Sequence, residues 1–297
     1  MLNRTAGRGR AAKYLPAVER SVASLRRRGL DVELEQPSST ADTRERARHA
    51  AHAGRDLVAG GGDGTVSAVA GIAAETRRRL ALLPLGSGND FARTLGYDTD
   101  EPLRALEYLT DEAGRDRTVD LGRVNGQLYT CVTCSGFDAE ANRWANERSR
   151  LSGTALYVAA VLRTIVVYRP RRFRVTVDGR VRELRAWMVS VGNGPAYAGG
   201  MRIVPDANMN DGLLDVCIIG PISKARFVAN FPKVFKGTHG RVAEVAFDRG
   251  AHVEVEALET GPNGVPLEVW ADGERVGPLP ATMQAVAGAL VVRTPPP

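Results

Sequence analysis

Lysine is almost missing from this 297-residue chain: Lys13, Lys224, Lys233 and Lys236 stand among 40 basic residues. The formal net charge of +6 is therefore carried by arginine, in a sequence also rich in alanine and glycine. That looks like a coding bias, and on its own it does not choose between nucleotide, anionic lipid and nucleic acid as partner. Cysteine is scarce too. Cys131, Cys134 and Cys217 are too few and too unevenly placed for a disulfide framework, which points to a reducing cytoplasm. Cys131 and Cys134 do form a C-x-x-C, but inside the β-rich run Leu-Tyr-Thr-Cys-Val-Thr-Cys with no second ligand pair nearby, so they read as core thiols rather than a zinc or redox site. No stretch approaches the roughly 18 apolar residues of a membrane span, and the first residues run straight into a polar loop. Nothing in the sequence is therefore expected to cross a bilayer or export the chain. Internal repeats are absent, and only Pro295-Pro296-Pro297 has low complexity.

Apolar residues make up 43% and charged residues 25%, interleaved along the whole length, as in an ordinary globular protein with material for two cores. A Gly/Arg-rich loop over residues 3–10 opens onto helical spacing at Leu15, Val18, Val22 and Leu25. A short strand is expected over residues 31–34, turn and N-cap residues over 37–40, and an Ala/Arg-rich helix to about His52. Two sharper strand-loop-helix units follow, Asp56-Leu57-Val58-Ala59 into Gly60-Gly61-Gly62-Asp63-Gly64-Thr65, and Leu80-Ala81-Leu82-Leu83-Pro84-Leu85 into Gly86-Ser87-Gly88-Asn89-Asp90. Such alternation predicts parallel βαβ units in a doubly wound α/β sheet over residues 1–118. From 119 to 297 the texture is of short strands and turns, with Asp178-Gly179 marking a hairpin and one helix over 153–168. That part reads as a mainly antiparallel, β-sandwich-like domain. The C-terminal tail is placed provisionally with it, with packing back on the first domain as the alternative.

The 60–65 loop lies between a strand and a helix, where bare backbone N–H groups and the helix dipole can hold a phosphate. It is not a dinucleotide fingerprint, because the third glycine would fall on Thr65, nor a Walker loop, because no Lys-Ser or Lys-Thr follows. Asp63 would repel polyphosphate unless a cation intervenes or its oxygens tie down the loop itself, so it reads as metal-linked or loop-bracing. The 86–90 loop repeats the architecture on a neighbouring strand. At least one of Asn89 and Asp90 is expected to cap the following helix.

These segments resemble the bacterial diacylglycerol kinase family, in Gly-Gly-Asp-Gly-Thr-Val and in Leu-Pro-Leu-Gly-Ser-Gly-Asn-Asp-Phe-Ala-Arg. The likeness continues in family order through residues 3–8, Val119-Asp120-Leu121-Gly122, Gly136-Phe137-Asp138-Ala139-Glu140, Gly199-Gly200-Met201, Pro205-Asp206-Ala207, Asn210-Asp211-Gly212-Leu213-Leu214-Asp215 and Asp272-Gly273-Glu274. The resemblance implies an ATP- and Mg2+-dependent lipid kinase that phosphorylates a lipid hydroxyl, most naturally that of diacylglycerol. It implies a nucleotide site at Asn3, Arg4, Thr5, Ala6, Gly7, Thr40, Gly62, Asp63, Gly64, Thr65, Val66, Ser67 and Ser87. A metal site would use the Asp211 side chain with main-chain oxygens near Asn208 and Leu213, making Asp211 catalytic as well. Glu274 would be the proton acceptor, although spacing alone would leave it a surface glutamate in an Asp-Gly turn. Phosphoryl transfer needs such a set: a cation, an aligned γ-phosphate and a base.

Some positions depart from the pattern. Arg4 stands where the family has proline, Ser67-Ala68 where it usually has Asn-Glu, and almost no strand precedes Asn3, as expected of a start that truncates a first strand. The rival readings are a kinase of the same superfamily acting on a sphingoid lipid or NAD, and a catalytically silent nucleotide-binding regulator. His239 is a candidate substrate-side polar group, but a lone loop histidine reads rather as solvated, and it falls outside the site. The run Arg169, Arg171, Arg172 and Arg174 reads as a solvated face, with contact to anionic lipid heads the alternative. The implied partners are ATP, a lipid and, peripherally, the inner face of the membrane from a cytoplasmic location, with no nucleic acid. Homodimers occur in the family.

Overall fold

Burial at Ala11, Val18, Val22 and Leu25 lines one stripe of helix α1 (Arg10–Arg27), the spacing that lets a helix cover a core with one side. The computed structural model describes residues 1–7, 9–110, 113–146 and 154–296, so Arg8 of the 3–8 loop, Gly153 of the expected 153–168 helix and Pro297 lie outside the described residues. Helix α2 (Thr40–His52) starts where the Ser39 hydroxyl accepts a hydrogen bond from the Asp42 N–H. Strands β1 (Leu57–Gly61) and β2 (Leu80–Pro84) are almost wholly buried and run parallel, Leu57 opposite Leu80, with α3 (Asp63–Thr76) between them. Continuous apolar runs of this kind belong to strands covered on both faces. After β2 comes the short α4 (Asp90–Thr94).

The strand expected over residues 31–34 does not form; the segment is extended but joins no ladder. Residues 1–3 take that place beside β1. Leu2 bridges Gly60 in parallel, the Gly60 N–H donates to the Met1 carbonyl, and the Leu2 N–H donates to the Glu35 carbonyl.

The chain divides into two units, Met1–Val119 with Gly288–Pro297, and Asp120–Ala287. Strand β3 (Arg115–Val124) runs from the first into the second, and β14 (Ala281–Thr294) runs back, its Val292 pairing in parallel with Leu80 of β2. The second unit holds β4 (Gln127–Tyr129), β5 (Val132–Gly136), α5 (Phe137–Asn146), α6 (Thr154–Val167), β6 (Arg171–Val177), β7 (Arg180–Ala186) and β8 (Met188–Gly192). It continues with β9 (Leu214–Ile219), α7 (Lys224–Asn230), α8 (Pro232–Phe235), β10 (Val245–Gly250), β11 (His252–Ala257), β12 (Glu268–Ala271) and β13 (Glu274–Pro278). One antiparallel sheet runs β10-β9-β8-β5-β12-β13, and in the other β11 pairs with β6 and β6 with β7. The predicted Asp178-Gly179 turn closes the β6–β7 hairpin, both residues with positive φ. This is the α/β plus antiparallel sandwich-like architecture that the alternation of strands, loops and helices led to expect. An aromatic group, Phe137, Tyr168, Trp187 and Phe227, packs edge to face and tilted where α5, α7 and the end of α6 meet β8, and the Trp187 Nε1–H donates to the Ile222 carbonyl at 2.9 Å.

Candidate functional site

Three successive glycines in the first unit each face a different neighbour. A Cβ on Gly60 would lie 3.1 Å from the Met1 carbonyl oxygen, one on Gly61 2.6 Å from Thr65 Oγ1, and Gly62 is met by Gly86, whose own Cβ would sit 2.4 Å from the Gly62 Cα. The run is therefore a requirement of close packing on three sides, with the Leu85 and Gly86 N–H groups both donating to the Gly61 carbonyl. Two glycine turns from adjacent parallel strands are thereby pressed backbone to backbone.

Asp63 locks them together. Its carboxylate accepts from the Asn89 N–H at 2.9 Å and the Asp90 N–H at 2.8 Å, so an acid in the first turn of α3 caps the start of α4. Of the two readings open for this residue, loop bracing is what the hydrogen bonds describe. The expectation that at least one of Asn89 and Asp90 caps α4 through a side chain fails at the N-cap itself: Asn89, at φ +56°, turns its amide back on the loop, accepting from the Gly86 N–H and donating to the Gly86 carbonyl. The cap comes from Asp63 because the loops touch.

A third loop joins them. Asn3 donates from Nδ2 to Thr65 Oγ1 at 3.2 Å and accepts from both the N–H and the hydroxyl of Thr5, while Gly7, at φ +58°, sits where a Cβ would strike the Leu85 carbonyl. Asn3, Thr5, Ala6, Gly7, Gly62, Asp63, Gly64, Thr65 and Ser87 thus belong to one loop cluster around the start of α3, whose N-cap Gly62 offers no side chain to the first turn. A 14-residue helix opening without a side-chain cap leaves backbone N–H groups at its positive end, an arrangement that can receive an anion. Arg4 and Ser87 are exposed, Ser67 is half-buried, and Val66 is buried with its N–H donating to the Gly62 carbonyl. Thr40 is exposed in the first turn of α2.

In the second unit the Asp272-Gly273 turn joins β12 to β13, with φ of +48° and +83°. Asp272 accepts from the Thr130 N–H and hydroxyl at 2.6 and 2.8 Å, and from the Cys131 and Val132 N–H groups at 2.9 and 3.2 Å. The turn is pinned to the start of β5. Glu274 follows at the head of β13, half-buried and paired with Ala271.

Asp211 stands exposed on the turn before β9, its Oδ1 accepting from the Leu213 N–H at 3.0 Å and its Oδ2 3.9 Å from Arg249. Asn208 Oδ1 accepts from the Asn210 N–H. No group of three or more His, Cys, Asp or Glu residues poised for a metal occurs among the described residues. One carboxylate with main-chain oxygens is nonetheless a hard donor set of the type that suits Mg2+, which keeps much of its water. Arg249 pairs chiefly with Asp215, at 2.8 Å, whose carboxyl burial holds above its ordinary range against that pairing.

One expectation here needs correction. His239 is not solvated: it is 2% exposed, its ring packs on Phe247, and Nε2 lies 3.0 Å from the Ile203 carbonyl and 3.8 Å from Cys217 Sγ. Burial lowers its pKa, against the opposing effect of the hydrogen bond to the Ile203 carbonyl. Within the arginine run Arg169 and Arg172 are exposed, as a solvated face requires, and Arg174 is bonded to Glu183 and Glu256 with Arg172 3.6 Å from Glu183. The three cysteines are buried and in no disulfide among the described residues, and burial raises the Cys134 and Cys217 thiols, as expected of core residues.

Sequence reasoning missed an apolar pocket in the second unit. Phe137, Met188, Ile222, Phe227, Phe231 and Val234 are among its walls, with Asp138 and His239 as polar members. The Ser223 N-cap and Pro232 mark the short helices that build it, but the walls come from segments far apart in the chain.

Two family models match the chain, the diacylglycerol kinase catalytic domain over residues 1–124 and the YegS C-terminal NAD kinase beta sandwich-like domain over residues 131–294. A diacylglycerol kinase of Mycobacterium tuberculosis strain H37Rv is 35% identical over 303 residues, 99% of this chain and 94% of that one. A YegS-like lipid kinase of Pseudomonas aeruginosa strain PAO1 is 33% identical over 287 residues, 94% and 93% of the two chains. Among solved structures, a diacylglycerol kinase from Bacillus anthracis str. Sterne superposes with a TM-score of 0.75 at 26% identity, over 99% and 96%.

Proposed function

The chain belongs to the diacylglycerol kinase family of lipid kinases, and from that premise we propose that it transfers the γ-phosphate of ATP to the hydroxyl of diacylglycerol, giving phosphatidic acid. The observation that carries this reading is the pair of glycine turns braced by Asp63 around the uncapped start of α3. Such a cluster offers backbone N–H groups and a helix dipole to a triphosphate, and its bracing holds those groups in place before the nucleotide arrives. Residues 3–7, Thr40, 62–67 and Ser87 hold the nucleotide.

Glu274 takes the proton of the lipid hydroxyl as that oxygen bonds to the γ-phosphorus; the bond to the β-phosphate oxygen breaks, and ADP leaves. Asp272 supports the base by pinning its turn to the Thr130, Cys131 and Val132 backbone. Magnesium, when bound, neutralises charge on the phosphates. Asp211 and the main-chain oxygens of Asn208 and Leu213 would hold it. The lipid is met at a membrane surface; no helix among the described residues is long and apolar enough to cross one.

The test is phosphate transfer from labelled ATP to a panel of diacylglycerol, sphingoid base, ceramide and NAD, read by mass spectrometry. Diacylglycerol is the expected acceptor, and Glu274→Gln is expected to lower kcat about 10²–10⁴-fold with the KM for ATP unchanged. Transfer to NAD alone, or full turnover by Glu274→Gln, would overturn the acceptor or the base respectively.

A further inference from the structure

Three of the four lysines in this arginine-rich chain, Lys224, Lys233 and Lys236, fall within thirteen residues, together with Phe227, Phe231 and Phe235. That segment is α7 and α8. Its residues divide by direction. Ile222, Phe227 and Val234 are buried and, with the half-buried Phe231, wall the apolar pocket. Val228 and Phe235 point the other way, each 48% exposed, between exposed Lys224, Lys233 and Lys236. The end of α6 lies alongside, where the Lys224 ammonium donates to the Val166 carbonyl, and α6 adds Leu162 and Val166 at 57% and 70% exposure, one helical turn apart. Five of the large apolar side chains that the second unit leaves exposed are therefore Leu162, Val166, Val167, Val228 and Phe235, on these adjacent helices.

Exposed apolar residues interleaved with lysines, on short helices whose other face walls an apolar pocket, are the make-up of an interfacial element. Lysines attract anionic headgroups, apolar side chains enter the boundary beneath them, and charge complementarity selects a bilayer over an apolar protein surface. The pocket has a cavity volume of about 40 Å³, which admits the end of a hydrocarbon chain but not a whole lipid. We propose that α7 and α8 form a lipid port: their outer face rests on an anionic bilayer, and the pocket walled by their inner face takes the end of one acyl chain. This rests on the reading of the chain as a kinase of membrane lipid, and names the surface and the subsite that such a substrate would use. His239, buried with its Nδ1 lacking a hydrogen-bond partner, stands with Asp138 and Asn230 among the few polar groups of a mainly apolar wall, suited to a water or hydroxyl carried in with the chain.

The full-length protein is sedimented with phosphatidylglycerol/phosphatidylcholine vesicles and, separately, titrated with the fluorescent fatty acid cis-parinaric acid. The wild type is expected to bind both. Lys233→Glu/Lys236→Glu should lower vesicle partitioning about tenfold or more, and steeply with salt, while leaving cis-parinarate binding intact. Val234→Trp, which fills the pocket, should abolish cis-parinarate binding and keep vesicle binding; unchanged melting curves establish that each variant is folded, and Val234→Phe serves if the tryptophan variant is not. Equal vesicle binding by the lysine variant, or equal cis-parinarate binding by the filled pocket, would overturn the proposal, as would a wild type that binds neither. Binding of both probes by a protein that phosphorylates none of the lipid panel would instead refute the kinase reading and leave the port standing.

Discussion

Among the chain's four Asp-Gly pairs, Asp63-Gly64 and Asp272-Gly273 look alike in sequence and solve different mechanical problems. In both, the aspartate reaches out of its own turn to backbone N–H groups elsewhere: Asp63 to Asn89 and Asp90, Asp272 to Thr130, Cys131 and Val132. The first turn opens a helix in glycine-on-glycine contact, so its constraint is space. The second turn is a hairpin with both residues at positive φ, so its constraint is backbone conformation. An acid in a glycine-rich turn is thus a fastener in each case, and what it holds still is the start of α4 against α3 in one and the strand that opens at Glu274 in the other.

The sharpest way to break this comparison is Gly86→Ala. The new Cβ would lie 2.4 Å from the Gly62 Cα and 2.7 Å from Asn89 Oδ1, and the first of these is backbone that cannot swing aside. Overpacking of this kind costs roughly 1–3 kcal/mol or more, and here it forces the two loops apart. We expect a clear fall in melting temperature and at least about a tenfold loss of ATP affinity by calorimetry, since one tenfold step needs only about 1.4 kcal/mol of lost binding. Wild-type ATP binding by this variant would mean that contact between the loops is not what shapes the nucleotide site.

Next in size is the pair of fastener deletions. Asp272→Ala strands three N–H groups and Asp63→Ala two; at about 1 kcal/mol or more for each partly buried donor, the expected losses are roughly 3 and 2 kcal/mol by denaturant unfolding. The functional signatures should separate. Asp63→Ala should raise the KM for ATP, whereas Asp272→Ala should lower kcat through a displaced Glu274. Identical kinetic phenotypes would refute the division of labour.

Much of this was legible beforehand. The strand-loop-helix alternation predicted the α/β architecture, turn spacing the antiparallel one, and the glycine run marked the loop that is packed on three sides. What could not be read were bonds across the chain: Asp63 meets a backbone 26 residues on, and Asp272 one about 140 residues back. Spacing therefore left Asp63 open between metal and brace. His239 looked solvated for the same reason, because Ile203, Cys217 and Phe247, which bury it, come from other segments. The 31–34 strand failed because residues 1–3 hold the edge of β1, a competition no local pattern records.

The smallest effect tests the other half of the comparison. Gly273 sits at φ +83°, where an alanine Cβ would meet nothing within 4 Å. The Gly273→Ala penalty is then purely conformational, about 1–2 kcal/mol for a left-handed non-glycine residue, with no contact to displace. Asp272, itself at φ +48°, already bears that cost, and its hydrogen bonds to the β5 start keep the turn in register. We therefore expect Gly273→Ala to unfold at modestly lower denaturant with kcat and KM near wild type. A loss of activity as large as that of Gly86→Ala, at this mild cost in stability, would show that the hairpin turn is limited by space after all, through something that approaches it during turnover.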